Sequence, residues 1–217
     1  MFVKVFVLGI MLMVASLGRA QEGATPSIPE HTEENLEAPS SVEQLSPETQ
    51  ALVDEGFAAL HMGDTTRALG LFKQALALQP DSKSARLGRG TALIRLLRHQ
   101  EAIDVLAPML DEFPGDYFLR NNLAWLYATS DLPAIRNGDK AVALAQDALL
   151  LAPDDYHVWS TLSEAYFVST RYEKAVRAAR EALRLGREKK ATAENIDTYK
   201  KQIEKSEKAR RAMSILD

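Results

Sequence analysis

The sequence predicts an all-α solenoid of about four helical hairpins closed by a C-terminal capping helix. Three observations carry this reading. Ala68 lies twelve residues before Pro80, Ala102 twelve before Pro114 and Ala141 twelve before Pro153. The distances Ala68 to Ala102, Gly56 to Gly90 and Pro80 to Pro114 are each 34 residues. Between these markers, Leu123-Ala124-x-x-Tyr127 and Ala141-x-x-x-Ala145-x-x-Ala148-Leu149-x-Leu151-x-Pro153 have close copies elsewhere in the chain. A fixed period in the thirties means stacked hairpins, because one hairpin cannot bury its apolar face alone and uses its neighbours to do so.

The fourth copy reads Trp159-x-x-Leu162-Ser163-x-x-Tyr166, continued by Ala175, Ala182, Leu183 and Leu185. The first gives Leu52, Gly56, Gly63-Asp64, Ala68, Phe72, Ala75, Leu76, Leu78 and Pro80; the second gives Gly90, Leu93, Ala102, Leu106, Leu110 and Pro114. This pattern resembles the tetratricopeptide repeat, whose first helix reads W-x2-L-G-x2-Y and whose second carries A-x3-F and a closing proline. The resemblance covers roughly residues 49–187 and implies a right-handed superhelical solenoid with repeats at 49–82, 83–116, 117–155 and 156–189. Glu55, Arg86, Arg89 and Arg120 depart from it, standing where the family usually has apolar residues, and Arg187 replaces the last proline. Small residues at Gly56, Gly90, Ala124 and Ser163, with Ala68, Ala102, Ala141 and Ala175, let paired helices approach closely, and larger side chains fill the rest. Ala102→Leu is expected to overpack its hairpin by about 1–3 kcal/mol.

From the start of the chain, residues 1–20 read as an export signal: Lys4, the apolar run Val5 to Ala15, and small residues Gly18 and Ala20 at a cleavage site before Gln21. A retained anchor and a cytosolic protein with a mis-assigned start are the rivals. Eleven helical residues span about 17 Å, short of a ~30 Å hydrocarbon core, which favours cleavage and a periplasmic or secreted product. Residues 21–47 carry Glu22, Glu30, Glu33, Glu34, Glu37 and Glu43, prolines at 26, 29, 39 and 47, and no Lys or Arg. Such a segment buries too little apolar surface to fold, so it is a solvated acidic linker or a docking tail for a basic partner.

Ser46 then N-caps the first helix with Pro47 at its first position. Helix pairs are expected at 48–61 and 65–79, 83–96 and 99–112, 117–130 and 139–151, and 155–168 and 172–186. Gly63-Asp64 makes the first turn, and Pro108 should kink or shorten its helix because it lacks an N–H. The third copy holds a five-residue insertion within Asp131–Asp139, with Asn137-Gly138 as a turn and Asp139 as the next cap. This loop is either structural or a ligand-binding element. The final segment, 190–217, supplies a capping helix over about 191–212, with a stripe of Ile196, Tyr199 and Ile203. Its i,i+4 pairs are Asp197–Lys201, Glu204–Lys208 and Glu207–Arg211. From Arg187 to Arg211 nine basic and five acidic residues give a net +4, a solvated face or a contact for an acidic partner or anionic lipid.

The family resemblance implies that the first helices line a concave groove. On that face it places Phe57, Ile94, Phe118, Asn121, Asn122, Trp125, Glu164 and Phe167, with Val53, Leu60, Leu87, Thr91, Arg95, His157 and Thr161 around them. Amides at Asn121 and Asn122 suit the backbone of an extended peptide, and the aromatic residues suit apolar anchors. Trp125 and Phe57 can equally pack between hairpins. The Lys/Arg cluster by which some members clamp a C-terminal carboxylate is missing, since Val53, Phe118 and Asn122 stand at its positions.

The remaining composition bounds the function. With 217 residues, 46% of them hydrophobic, the chain can bury a core; a net charge of −4 gives no reason to expect nucleic acid, and without cysteine there are no disulfides or thiolate sites. His31, His61, His99 and His157 have no partner at metal-ligand spacing, and no cofactor is expected. The expectation is a non-enzymatic scaffold that binds a protein or peptide. Its rivals are a structural subunit of an envelope complex and an enzyme using His157 and Glu164, seven residues apart on one helix face.

Overall fold

The computed structural model describes residues 43–215, which form an all-helical solenoid. The segment read as an export signal and residues 21–42 of the acidic linker lie outside the described residues. The helices are α1 (Pro47–His61), α2 (Thr65–Leu78), α3 (Lys83–Arg95), α4 (His99–Leu106), α5 (Met109–Glu112), α6 (Tyr117–Thr129), α7 (Gly138–Leu151), α8 (Tyr156–Val168), α9 (Tyr172–Glu188) and α10 (Ala193–Met213). Consecutive helices pair as hairpins, α1/α2, α3/α4, α6/α7 and α8/α9, and α10 packs on α9 and α8 where the first helix of a further hairpin would lie.

Short polar residues start most of these helices by satisfying an N–H that has no partner within the helix. Ser46 Oγ accepts from Thr49 N (3.1 Å), Asp64 from Arg67 N (3.1 Å), Ser82 from Ala85 N (3.2 Å) and Asp116 from Leu119 N (3.0 Å). The cap of α7 is Asn137, which accepts from Lys140 N at 2.9 Å. The expectation of Asp139 as that cap is therefore corrected by two residues. Asp139 sits in the first turn and pairs with Arg171 of the next hairpin (2.7 Å). Pro108 splits the second helix of its hairpin, ending α4 at Leu106 and opening the four-residue α5, because a proline N cannot extend the α4 ladder.

The hairpin turn demands a left-handed residue at one fixed register. Gly63 (φ 81°) fills it in the first hairpin, and Leu97 (φ 59°) and Thr170 (φ 60°) fill it in the second and fourth. The third hairpin uses the insertion instead. Ile135 plugs that loop into the core, Asn137 N donates to Tyr127 O (2.9 Å), and Arg136 Nε donates to Ser130 O (2.9 Å). Backbone and side-chain bonds thus hold this loop onto the end of α6.

Small-to-large complementarity forms the core. Ala68, Ala102, Ala141 and Ala175 are fully buried, one per hairpin. Phe72 of α2 fills the space left by Gly56 on α1 and Gly88 on α3, and Leu106 fills that left by Gly90. On α10 the expected stripe is half right. Tyr199 is fully buried, but Asn195, Gln202 and Ser206 share its face, and Gln202 accepts from Ser160 Oγ (2.9 Å) and donates to Ser160 O (3.4 Å). The Asp197–Lys201 pair forms (2.5 Å), whereas Glu207 reaches across to Arg180 (2.7 Å) in place of Arg211.

Candidate protein-interaction site

Helix spacing fixes which residues share the inner face of the first helices. On α6, Asn121, Asn122 and Trp125 lie one turn apart at most, and all three are buried, at 2%, 2% and 6% exposure. Ile94 on α3 is buried too, while Phe57, Phe118 and Phe167 are half-buried. The face is therefore an apolar seam whose rim, not its floor, meets solvent. Phe57 packs edge-on against Phe72 (5.0 Å between centroids), and Phe118 stacks on Tyr117 (4.1 Å). Asn121 Oδ1 and Asn122 Nδ2 have no hydrogen-bond partner among the described residues. One acceptor and one donor on neighbouring residues thus sit unspent, an arrangement that costs stability in the free protein.

Arg95, at the end of α3, adds a cation to this face. Its Nη1 donates to Leu60 O, its Nε and Nη2 find no partner among the described residues, and burial pulls the guanidinium down to about 10.

At the C-terminal end the face is occupied from within. Lys205 of α10 pairs with Glu164 (2.6 Å) and lies 4.2 Å over the Phe167 ring. Sequence reasoning placed Glu164 and Phe167 on the inner face but not Lys205, because the charged half of α10 reads as a solvated stripe. His157 and Glu164 are not brought together: seven helical residues separate them by about 10 Å, and the carboxylate is committed to Lys205. Instead, His157 packs against Tyr156 (4.2 Å between centroids), beside a buried Asp155 whose Oδ1 accepts from His157 N at 2.8 Å. Burial, with the Asp155 charge, raises Tyr117, Tyr156 and Tyr199 above the ordinary phenol range. Among the described residues no group of three or more His, Asp or Glu is arranged to hold a metal, and no helix is long and apolar enough to cross a membrane.

Residues 53–117 match the family model for the tetratricopeptide repeat. The first two hairpins match the tetratricopeptide repeat. Among solved structures, the chain is similar over 78% of its length to MamA (residue 41 to the end) from Desulfovibrio magneticus RS-1, covering 98% of that chain at 17% identity and a TM-score of 0.54. It is similar over the same share to a thermophilic tetratricopeptide-repeat protein of Thermus thermophilus, covering all of it at 18% identity and a TM-score of 0.56. A third likeness is to the APC/C hetero-tetramer Cut9–Hcn1, with 34% of that chain covered at 17% identity and a TM-score of 0.59. At these identities the likeness concerns the fold. No curated protein matches the sequence. Tetratricopeptide hairpins make a scaffold for protein–protein interaction, and the fold of this chain is of that kind.

Proposed function

We propose that the protein is a non-enzymatic adaptor of the cell envelope, exported through residues 1–20, which presents the inner face of its first helices to a peptide or a partner helix. The observation that carries this reading is the pair of unspent amide atoms at Asn121 and Asn122 on a face rimmed by Phe57, Phe118 and Phe167. A bound backbone supplies one N–H to Asn121 and one C=O to Asn122, removing two buried unsatisfied groups at once, while the rim aromatics take its apolar side chains. Because those atoms are covered in the free protein, the partner must displace the side chains above them.

The test is a crosslinked pull-down from envelope extract with residues 21–217, run beside Asn122→Ala and Phe118→Ala variants whose circular dichroism matches wild type. The reading expects one partner captured by wild type and lost by both variants. A partner that both variants retain places the binding surface elsewhere. Export is tested separately by N-terminal sequencing of the protein from fractionated cells: a mature start at Gln21 in the periplasm supports it, and an intact Met1 in the cytosol contradicts it.

A further inference from the structure

The opposite face of α8 carries a feature that the adaptor reading does not use. At about 100° per residue, Trp159, Leu162 and Tyr166 point roughly 180° away from His157, Thr161 and Glu164. With Gln146, Leu149 and Leu150 of α7 and Lys174 and Arg177 of α9 they line an open pocket of about 470 Å³. That volume falls within the usual range of ligand clefts. Leu150 stands at its edge 84% exposed, so a partner that covers it removes apolar surface from water.

This pocket lies between the third and fourth hairpins because of particular residues. Arg86 on α3 and Arg120 on α6 occupy the register of Trp159; Arg86 is held by Glu112 (2.6 Å) and Arg120 by Asp116 O (3.3 Å). Ala77 and Asp111 occupy the register of Leu150. Arginines thus stand on the corresponding faces of the second and third hairpins, whereas Leu52 takes that register in the first and Trp159 makes it apolar here. Its rim is cationic, with Lys174 Nζ 5.7 Å over the Tyr166 ring. Lys174 and Arg177 pair with no carboxylate among the described residues, whereas Arg171, Arg180 and Arg184 on the same helix all do.

We infer that the trough between α7 and α9 is a second docking site, taking an acidic amphipathic helix from another protein. Bulky apolar side chains of that helix seat on Leu150 and Trp159, and its Asp or Glu residues meet Lys174 and Arg177. Charge complementarity selects the partner's sign, and the helix-in-groove mode suits a trough bounded by two helices.

The test uses a phage-displayed library of helical 16-residue peptides selected on the full protein, followed by affinity measurement of the enriched peptides. The expected peptides carry apolar residues at i, i+3/i+4 and i+7 flanked by Asp and Glu. Leu150→Glu, a change at an exposed site, weakens them at least tenfold. Lys174→Glu/Arg177→Glu does the same and gains affinity for the peptides rewritten with Lys for each acid, a reversal that misfolding cannot produce. Four results overturn the inference: no enrichment, enriched peptides of neutral or basic character, unchanged affinity in Leu150→Glu, or affinity for the rewritten peptides unchanged by the charge reversal. Wild-type protein that self-associates, or binds anionic phospholipid vesicles, through Leu150 gives the surface to a second copy or to a membrane and overturns it equally. Phe118→Ala leaves these affinities unaltered, which separates this site from the inner face.

Discussion

Gly88→Ala and Gly70→Ala are the same chemical change on neighbouring helices and should act in opposite directions. A Cβ on Gly88 would fall 2.3 Å from Phe72 Cε1 and 2.4 Å from its Cζ, and a Cβ on Gly56 would fall 2.7 and 2.9 Å from the same atoms. The Phe72 ring is fully buried and clasped between α1 and α3, so it has no solvent to swing into. Overpacking costs about 1–3 kcal/mol, against a gain of up to ~1 kcal/mol when glycine becomes alanine inside a helix. Contact this close belongs at the upper end, leaving Gly88→Ala about 2 kcal/mol less stable, a loss of about 4–8 °C in Tm for a chain of this size. Gly70 has nothing within 4 Å of an added Cβ, so its alanine keeps the helical gain and raises stability by up to ~1 kcal/mol. Thermal and urea unfolding followed by circular dichroism at 222 nm read both. In the Gly88→Ala background, Phe72→Leu should cost less than in wild type, because the smaller side chain relieves the clash. Equal shifts for the two alanine variants, or a Gly88→Ala protein as stable as wild type, refute the packing argument.

Other consequences follow from single residues. Leu97 and Thr170 hold the left-handed turn position that Gly63 fills freely, so Leu97→Gly and Thr170→Gly should each stabilise by up to about 1 kcal/mol in urea unfolding, strain relief exceeding the added glycine entropy. The Tyr199 hydroxyl is buried without a partner among the described residues, so Tyr199→Phe should leave stability equal or higher, by up to about 1 kcal/mol, whereas Tyr199→Ala opens a cavity costing about 3–5 kcal/mol. Burial lowers His99, whose Nδ1 lies 2.8 Å from Ser130 Oγ, with Asp131 opposing the shift. The unfolded chain then takes up this proton first, so stability is complete above about pH 6.5 and is lost as pH falls from there toward the lower folded value. The urea midpoint difference between pH 7.5 and 5.5 should be smaller in His99→Gln than in wild type.

Much of this was legible in the sequence because a repeat states each rule several times. The alanines before Pro80, Pro114 and Pro153 mark the second helices through one register, and a cap such as Ser46 is local. The turn at Gly63 was visible through its glycine, but Leu97 and Thr170 occupy the same position without a residue type that announces it. Asn137 displaced Asp139 as the α7 cap because the helix begins two residues earlier than its acidic residue suggests. The site was harder to read. The family resemblance put Asn121, Asn122 and Glu164 on one face, but their burial depends on neighbouring helices, and the cover from Lys205 crosses 41 residues of chain. Trp159 reads as a repeat position; only comparison with Arg86 and Arg120 at the same register shows that an apolar side chain here replaces a charge found in the two preceding hairpins.

The central claim is that a partner lies along the inner face of the first helices. Photo-crosslinking in living cells, with a benzophenone amino acid placed in turn at Phe118, Phe57 and exposed Leu78, tests it most directly. The account predicts a discrete higher-mass adduct from Phe118 and from Phe57, abolished by Asn122→Ala, and none from Leu78. Absence of any adduct at Phe118 and Phe57 under conditions where another surface position yields one would contradict it.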